Sequence, residues 1–470
     1  MRNRQLGRRQ FLKAATGTFA GFGAMSAIAR ARIAGAKQAG GTRREKPNVV
    51  LIMLDDLGYH DLACYGHESI KTPVIDKLAT DGVRLTSFYA GATVCTPSRM
   101  ALLTGAYPTR VGWTKGVLGY LISTDKGLST KALTMPRVFK SAGYRTGLFG
   151  KWHLGQRPGL LPMDHGFDDT YYLKASNNLS KKIWRGAKQA ADAFDNGRLT
   201  EYFTRESIRF VKENKDRPFF LYLPYTAPHF PVRAHPDWKG KSAYGVYGDV
   251  VEEVDSRIGE LLATLRAEKL DRDTIVVFLS DNGPQGGQGS RANPYRGKKW
   301  SALEGGTRVP CIVRFPGHIP AGATSDALIA AIDLLPTLCH ACGIDLGALA
   351  RSGPGMDGVN VWPTLLGKTD QPHARKELLY WHGKKGFQAI RVGDWKLFLD
   401  RADAELKDAG KGPALFHLAE DPTESRDVSD KHPDRVAAMQ KLAEKRLAEI
   451  NKNVLPLGSV IDGDGQGRAG

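Results

Sequence analysis

Four short runs constrain this chain more than any other feature: NVVLIML (48–54), GYRTGLFG (143–150), PFFLYLPY (218–225) and TIVVFLS (274–280). They are apolar and rich in β-branched or aromatic residues, without the strict alternation of a strand that leaves one face in water. A strand of this kind must be covered on both faces. Between the runs lie amphipathic stretches such as TPVIDKLATDG and DVVEEVDSRIGELLATLRAEKL, the second with apolar residues at helical spacing. The pattern predicts an α/β protein with a large central, mostly parallel sheet flanked by helices. Past a composition change at 345–375 the pattern alters. FQAIRVGDWKLFLD and PALFHLAED alternate like antiparallel strands, and PDRVAAMQKLAEKRLAEI reads as a closing amphipathic helix. These predict a smaller C-terminal α+β subdomain, a short antiparallel sheet plus a helix.

Charge narrows the partners. The 470 residues carry 67 Lys and Arg against 49 Asp and Glu, a formal net charge of +18. Seven of the basic residues and no acid fall in residues 1–36, which leaves 60 against 49, or +11, for the rest. That excess is scattered, which argues for an electropositive cleft in a solvated surface and against nucleic acid. Within residues 1–36, Arg8 and Arg9 precede Phe11, Leu12, Lys13 and an uncharged run from Ala14 to Ala29. This resembles a twin-arginine export signal, and the run is shorter than the roughly 20 residues of a membrane span. The expected partner is the twin-arginine translocase and the expected location a bacterial periplasm or the exterior. Five unevenly spaced cysteines form no disulfide framework. Cys339 and Cys342, in AIDLLPTLCHACGI, share a helical face and are better explained by packing than by zinc.

Ligand sites in parallel sheets lie beyond the carboxyl ends of the strands. Here those ends deliver Asp55 and Asp56, Lys151 and His153 in GKWHLG, His229 in TAPH, and Asp281 and Asn282 in SDNG. Three carboxylates and an amide oxygen make a hard donor set suited to Ca²⁺ or Mg²⁺. The histidines supply acid/base capacity, and Lys151 with Lys298 or Lys299 supplies a clamp for a tetrahedral oxyanion. This inventory suits hydrolysis of a phosphate or sulfate ester and lacks a nucleophile.

A candidate lies in ATVCTPSRMALLTG (92–105). Pro97 suits a first helical turn, which places Cys95 at a helix N-terminus where anionic oxygen is favoured. A thiolate there would be nucleophilic but too soft for an oxygen-coordinated cation. The motif Cys-x-Pro-Ser-Arg followed by MALLTG closely resembles the signature of the type I, formylglycine-dependent sulfatases, arylsulfatase-like members of the alkaline phosphatase-like superfamily. NVVLIMLDDLGYHDLACYG, GKWHLG, TAPHFP, SDNG, RGKKWSALEGGTRVP and AIDLLPTL look like sulfatase segments in the family's order, so the resemblance spans 47–450.

The resemblance implies that Cys95 is oxidised to formylglycine by a formylglycine-generating or sulfatase-maturing enzyme. It implies metal ligation by Asp55, Asp56, Asp281, Asn282 and the modified Cys95, and an Arg99 that steadies their oxygens. Lys151 and Lys299 would hold the sulfate, with Lys299 preferred because it stands five residues before Glu304. His229 would bridge to and protonate the leaving oxygen. His153 would take the proton that releases sulfate from a formylglycine-sulfate covalent intermediate. The implied organisation is an export signal (1–36), a sulfatase catalytic domain (37–372), a C-terminal subdomain (373–455) and a flexible tail (456–470).

Two other readings stand beside it: a phosphomonoester or phosphonate hydrolase of the same superfamily, and a non-catalytic glycan-binding protein if Cys95 stays unmodified. Specificity is expected from the loops 106–128, 172–200 and 284–297 and from the C-terminal subdomain. Lys181, Lys182, Arg185 and Arg291 are candidate contacts for a sulfated small molecule or glycan, with a sulfated carbohydrate preferred.

Overall fold

The computed structural model describes residues 46–459 except 192, 348–354, 369–374 and 407–409. The expected export signal therefore lies outside the described residues. Ten strands form one twisted sheet, in the order Lys188–Ala191, Ile183–Arg185, Asp169–Leu173, Arg145–Lys151, Phe219–Pro224, Asn48–Leu54, Thr274–Ser280, Cys311–Arg314, Val83–Leu85 and Ala323–Ser325. The five from Asp169–Leu173 to Thr274–Ser280 are mutually parallel, so their carboxyl ends share one edge. The four runs read as strands all sit in this parallel block.

Their unbroken hydrophobicity has a simple cause. Val49, Leu51 and Met53 enter one core, and Val50, Ile52 and Leu54 enter another on the opposite face. Ile275, Val277 and Leu279 alternate with Val276 and Phe278 in the same way. Each residue meets apolar cover, at roughly 1.5–3 kcal/mol per large side chain buried. The first core is closed by the helices Cys95–Thr104, Met135–Ser141 and Leu334–Ala341, the second by Pro73–Thr80, Leu199–Glu213 and Gly245–Ala267. Cys339 and Cys342 are both buried in the first core.

A second sheet, of Glu377–His382, Gly386–Val392, Trp395–Phe398 and Ala414–His417, is antiparallel throughout. One face joins the first core through Tyr380, Ala389, Phe398 and Phe416. The other carries Ile390, Leu397 and Leu415 against Val436, Met439 and Ala443 of the helix Pro433–Asn451. The strand Glu377–His382 has no clear sequence signal, because ELLYWH directly follows the polar, linker-like GKTDQPHARK. At the expected flexible tail, Gly458–Ser459 instead pair with Lys126–Gly127. No helix of the described residues is long and apolar enough to cross a membrane.

Candidate active site

The shared strand edge collects the polar residues that follow each run. Asp55 and Asp56 leave Asn48–Leu54, Lys151 ends its strand, and Asp281 and Asn282 leave Thr274–Ser280. Close approach of the strands is part of the design. At Gly150 the backbone has φ 144°, and a Cβ there would stand 2.0 Å from the Pro224 carbonyl oxygen. Only glycine fits, and the next residue, Lys151, then reaches Asp55 Oδ2 at 2.6 Å.

Cys95 is the first residue of the helix Cys95–Thr104, as its sequence context predicts. Arg99, one turn on, donates through Nε and Nη2 to Asp281 Oδ2 at 3.0 and 2.8 Å and through Nη1 to the Lys151 carbonyl at 3.0 Å. Lys299 Nζ lies 2.7 and 2.8 Å from the two oxygens of Asp56. Lys298 is exposed, so of the two lysines it is Lys299 that the fold brings to these carboxylates. Three buried carboxylates thus face three buried cations. Asp56, His153 and Trp300 hold positive φ of 67°, 60° and 77°. Strain gathered at one place marks a site whose geometry is imposed by its surroundings.

Two oxygens remain without donors. Asp55 Oδ1 and Asn282 Oδ1 are buried and make no hydrogen bond. Asn282 Nδ2 is committed to Asp56 Oδ1 at 2.7 Å and to the Gly283 carbonyl at 2.9 Å. Ligand atoms of Asp55, Cys95 and Asp281 lie within 4.8 Å of one another, as do those of Asp55, Asp56 and His229. Buried oxygens without protons to accept are what a hard divalent cation would satisfy, so the residues present fit Ca²⁺ or Mg²⁺.

Burial governs the titrating groups. It pushes the Cys95 thiol above its usual range, against the pull of Lys151 and Lys299. Desolvation outweighs the helix terminus and the two lysines, which agrees with the reading that a thiolate is not what this position serves. Burial would also raise Asp55, but Lys151, His229, Arg99 and Lys299 outweigh it and hold the carboxyl far below the usual range. Burial, then repulsion from Lys151 and Arg99, pushes His153 well below the ordinary imidazole value. Its Nε2 stands 3.1 Å from the Leu118 carbonyl, which assigns the proton to Nε2 and leaves Nδ1, buried and without a partner, as a bare acceptor. His229 is lowered mainly by burial. Its Nδ1 faces two acceptors, Asn177 Oδ1 at 3.1 Å and the Phe230 carbonyl at 2.6 Å, so Nδ1 carries the proton and Nε2 lies 3.6 Å from Asp56 Oδ2.

The ten residues named from the sequence as metal ligands or catalytic groups, Asp55, Asp56, Cys95, Arg99, Lys151, His153, His229, Asp281, Asn282 and Lys299, therefore gather at one place. Residues 47–344 match the Sulfatase family, and residues 297–453 match the C-terminal region of N-sulphoglucosamine sulphohydrolase. The chain belongs to the sulfatase family. It is 32% identical to the N-acetylgalactosamine-6-sulfatase of Sus scrofa, covering 85% of this chain and 84% of that one. It is also 32% identical to human arylsulfatase A, over 84% and 87% of the two chains. Among solved structures, Ps i-CgsB in complex with k-i-k-neocarrahexaose superposes with a TM-score of 0.76 at 29% identity, over 88% of this sulfatase and 95% of that chain. The sulfatase is thus a sulfuric ester hydrolase with the fold of that family.

Several supports of the site carry no sequence signal. Asn177 from a loop and Leu118 from the two-residue strand Val117–Leu118 orient the two histidines, and neither segment has a periodicity to read. The segment bearing Lys299 is anchored by a buried charge cluster: Lys396 Nζ pairs with Glu304 at 3.0 Å and with Glu424 at 2.8 Å and donates to the Ala302 carbonyl at 2.8 Å. The Glu304 N–H donates to Glu424 at 2.7 Å, and the Tyr89 hydroxyl donates to Glu304 at 2.5 Å. Of the candidate substrate cations, Arg185 is committed to Glu206 at 2.7 Å and stacked over Tyr171. Lys181, Lys182 and Arg291 are exposed.

Proposed function

We propose that this sulfatase releases sulfate from a sulfated saccharide, using Cys95 converted to formylglycine and a Ca²⁺ ion held by Asp55, Asp56, Asp281, Asn282 and residue 95. The observation that carries the reading is Cys95 itself: a buried sulfur at a helix head, among three carboxylates and three cations, is misplaced as a thiol and well placed as an oxygen. The hydrated aldehyde would supply the oxygen nucleophile, and the cation would polarise the ester and its sulfate oxygens. Charge bookkeeping supports the reading. Asp55, Asp56 and Asp281 balance Arg99, Lys151 and Lys299, so a bound divalent ion leaves the pocket positive for an anionic ester.

The protein groups then divide the work. Lys151 and Lys299 turn from Asp55 and Asp56 toward the sulfate oxygens, and Arg99 keeps Asp281 aimed at the cation. His229, its Nδ1 proton fixed by Asn177 and the Phe230 carbonyl, turns Nε2 to the leaving oxygen and donates from it as the doubly protonated imidazolium, the form that Asp56 and Asp55 favour against burial. His153 accepts a proton at Nδ1, and its depressed pKa keeps that atom free at neutral pH. The N-acetylgalactosamine-6-sulfatase relatives and the neocarrahexaose complex support a saccharide as the substrate. The Arg8–Arg9 motif supports export of the folded enzyme by the twin-arginine translocase.

The matured protein is expected to hydrolyse 4-nitrophenyl sulfate faster than 4-nitrophenyl phosphate, and to act on at least one member of a panel of sulfated saccharides. Chelation with EGTA should lower kcat/KM by on the order of 10²–10³, and Ca²⁺ should restore both rate and melting temperature. A preference for the phosphate ester would favour the phosphohydrolase reading.

Maturation has a structural constraint. Thr96, Ser98 and Arg99 are at most 1% exposed and Cys95 is 2% exposed. Burial closes this segment to a modifying enzyme in the folded protein, so oxidation of Cys95 is expected to precede folding. Incubation of the maturing enzyme with native, unmodified protein should leave the Cys95 peptide unchanged by mass spectrometry, whereas the urea-unfolded chain should be converted. Equal conversion of the native protein would overturn this order.

A further inference from the structure

Of the six large hydrophobic side chains exposed among the described residues, three adjoin on one rim of the site: Tyr120 at 48%, Leu121 at 51% and Leu179, which lies against Gly119. Single exposed apolar residues need no explanation, but a cluster beside an active site does. The rim is also strained. Leu121 has φ 69° and Trp300 has φ 77°, an unfavourable region for bulky side chains.

The rim is built onto the catalytic residues. The Leu118 N–H donates to Thr96 Oγ1 at 3.2 Å, and the Leu118 carbonyl faces His153 Nε2. The Gly116 N–H donates to the Gly383 carbonyl at 2.6 Å, joining this segment to the loop that carries Lys384. Trp300 follows Lys299 directly, donates its N–H to the Thr93 carbonyl at 3.0 Å, and packs on Val94, Cys95 and Val117. Tyr120 and Trp300 meet edge to face, with centroids 6.0 Å apart at 85°. Lys384 Nζ stands 5.3 Å from the Trp300 centroid and 5.7 Å from that of Tyr120. The neighbouring Lys385 is taken up by Asp403 at 2.6 Å.

We propose that Tyr120, Trp300 and Lys384 form a second sugar subsite, which takes the ring next to the sulfated one when that neighbour carries a carboxylate or sulfate. The aromatic corner offers apolar surface to the C–H face of a sugar ring, and the exposed ammonium above it offers a counter-charge to the anion. Trp300 packs on Cys95, so this corner adjoins the place where the ester would be cleaved. The proposal rests on the saccharide reading above.

Its test is calorimetric titration of the full-length Cys95→Ala protein with 6-sulfated N-acetylgalactosamine, a chondroitin 6-sulfate tetrasaccharide and an ι-carrageenan hexasaccharide. At least one oligosaccharide should bind about tenfold tighter than the monosaccharide. Tyr120→Ala and Lys384→Gln should each remove most of that advantage, and the loss with Lys384→Gln should shrink at high salt. The same substitutions in the matured enzyme should leave 4-nitrophenyl sulfate hydrolysis unchanged, which also reports an intact fold. An oligosaccharide advantage that is absent, or that survives both substitutions, overturns the subsite while leaving a saccharide that binds as substrate. Failure of all three saccharides to bind, beside sound aryl sulfate hydrolysis, overturns the saccharide reading itself.

Discussion

Replacing Cys95 by alanine is expected to abolish turnover, a loss on the order of 10⁶ in kcat, with the protein still folded. The substitution removes one sulfur from a small cluster with Val94, Val117 and Trp300, which costs about 1 kcal/mol of packing. Everything else at the site survives. Arg99 still binds Asp281, and Lys151 and Lys299 still pair with Asp55 and Asp56. The loss therefore isolates the nucleophile. Cys95→Ser is the sharper variant. A serine hydroxyl can accept the sulfuryl group, but it lacks the second hydroxyl of an aldehyde hydrate, so sulfate stays esterified to the side chain. Intact-mass measurement after exposure to 4-nitrophenyl sulfate should show one sulfate retained per chain and a single burst of nitrophenol. Sustained turnover by the serine variant, or full activity of a chain whose Cys95 peptide is unmodified, would sink the formylglycine mechanism.

The contrast between Cys95 and its supports shows what a sequence can carry. Runs such as NVVLIML announce a two-sided core because every residue has to be apolar, and Asp55, Asp56, Asp281 and Asn282 are conspicuous because they interrupt that rule at a strand end. Motif spacing places Cys95 at a helix head. The state of its sulfur is another matter. A helix head favours an anion locally, whereas burial, to which Val117 and Trp300 contribute from elsewhere in the sequence, pushes the thiol up. Lys396 is hidden for a related reason. In DWKLFLD it occupies what alternation reads as a solvent-facing position, yet both faces of this sheet are covered, one by the main core and one by a helix. Glu304 and Glu424 lie 92 residues before and 28 after it, and nothing local links the three.

Lys396→Met is expected to destabilise the protein by about 3–5 kcal/mol, read as a lower urea midpoint, because it leaves two buried carboxyl groups with their shared cation gone. Glu304, Glu424 and Lys396 are all fully buried. Burial would raise Glu304, but Lys396, Arg308 and Arg391 outweigh it and hold the carboxyl below the ordinary glutamate range. Its stabilising contribution is therefore present above the unfolded value near 4.5 and is lost as pH falls below it. Glu424 goes the other way, pushed up to about 7 first by burial and then by the charge of Glu304, despite Lys396. A neutral side chain suits that position, so Glu424→Gln should cost less than about 1 kcal/mol, and the comparison with wild type should move in the variant's favour as pH rises from 5 to 8. The Lys396→Met deficit should instead shrink on acidification, as Glu304 takes up the proton it can then no longer do without. Activity should follow the same anchor. Glu304 begins the helical turn that ends the Lys299 segment, so Lys396→Met should lower kcat on 4-nitrophenyl sulfate even under conditions where the variant is folded. If Lys396→Met costs no more than Glu424→Gln, and kcat is unmoved, the second sheet does not hold the sulfate-binding lysine in place.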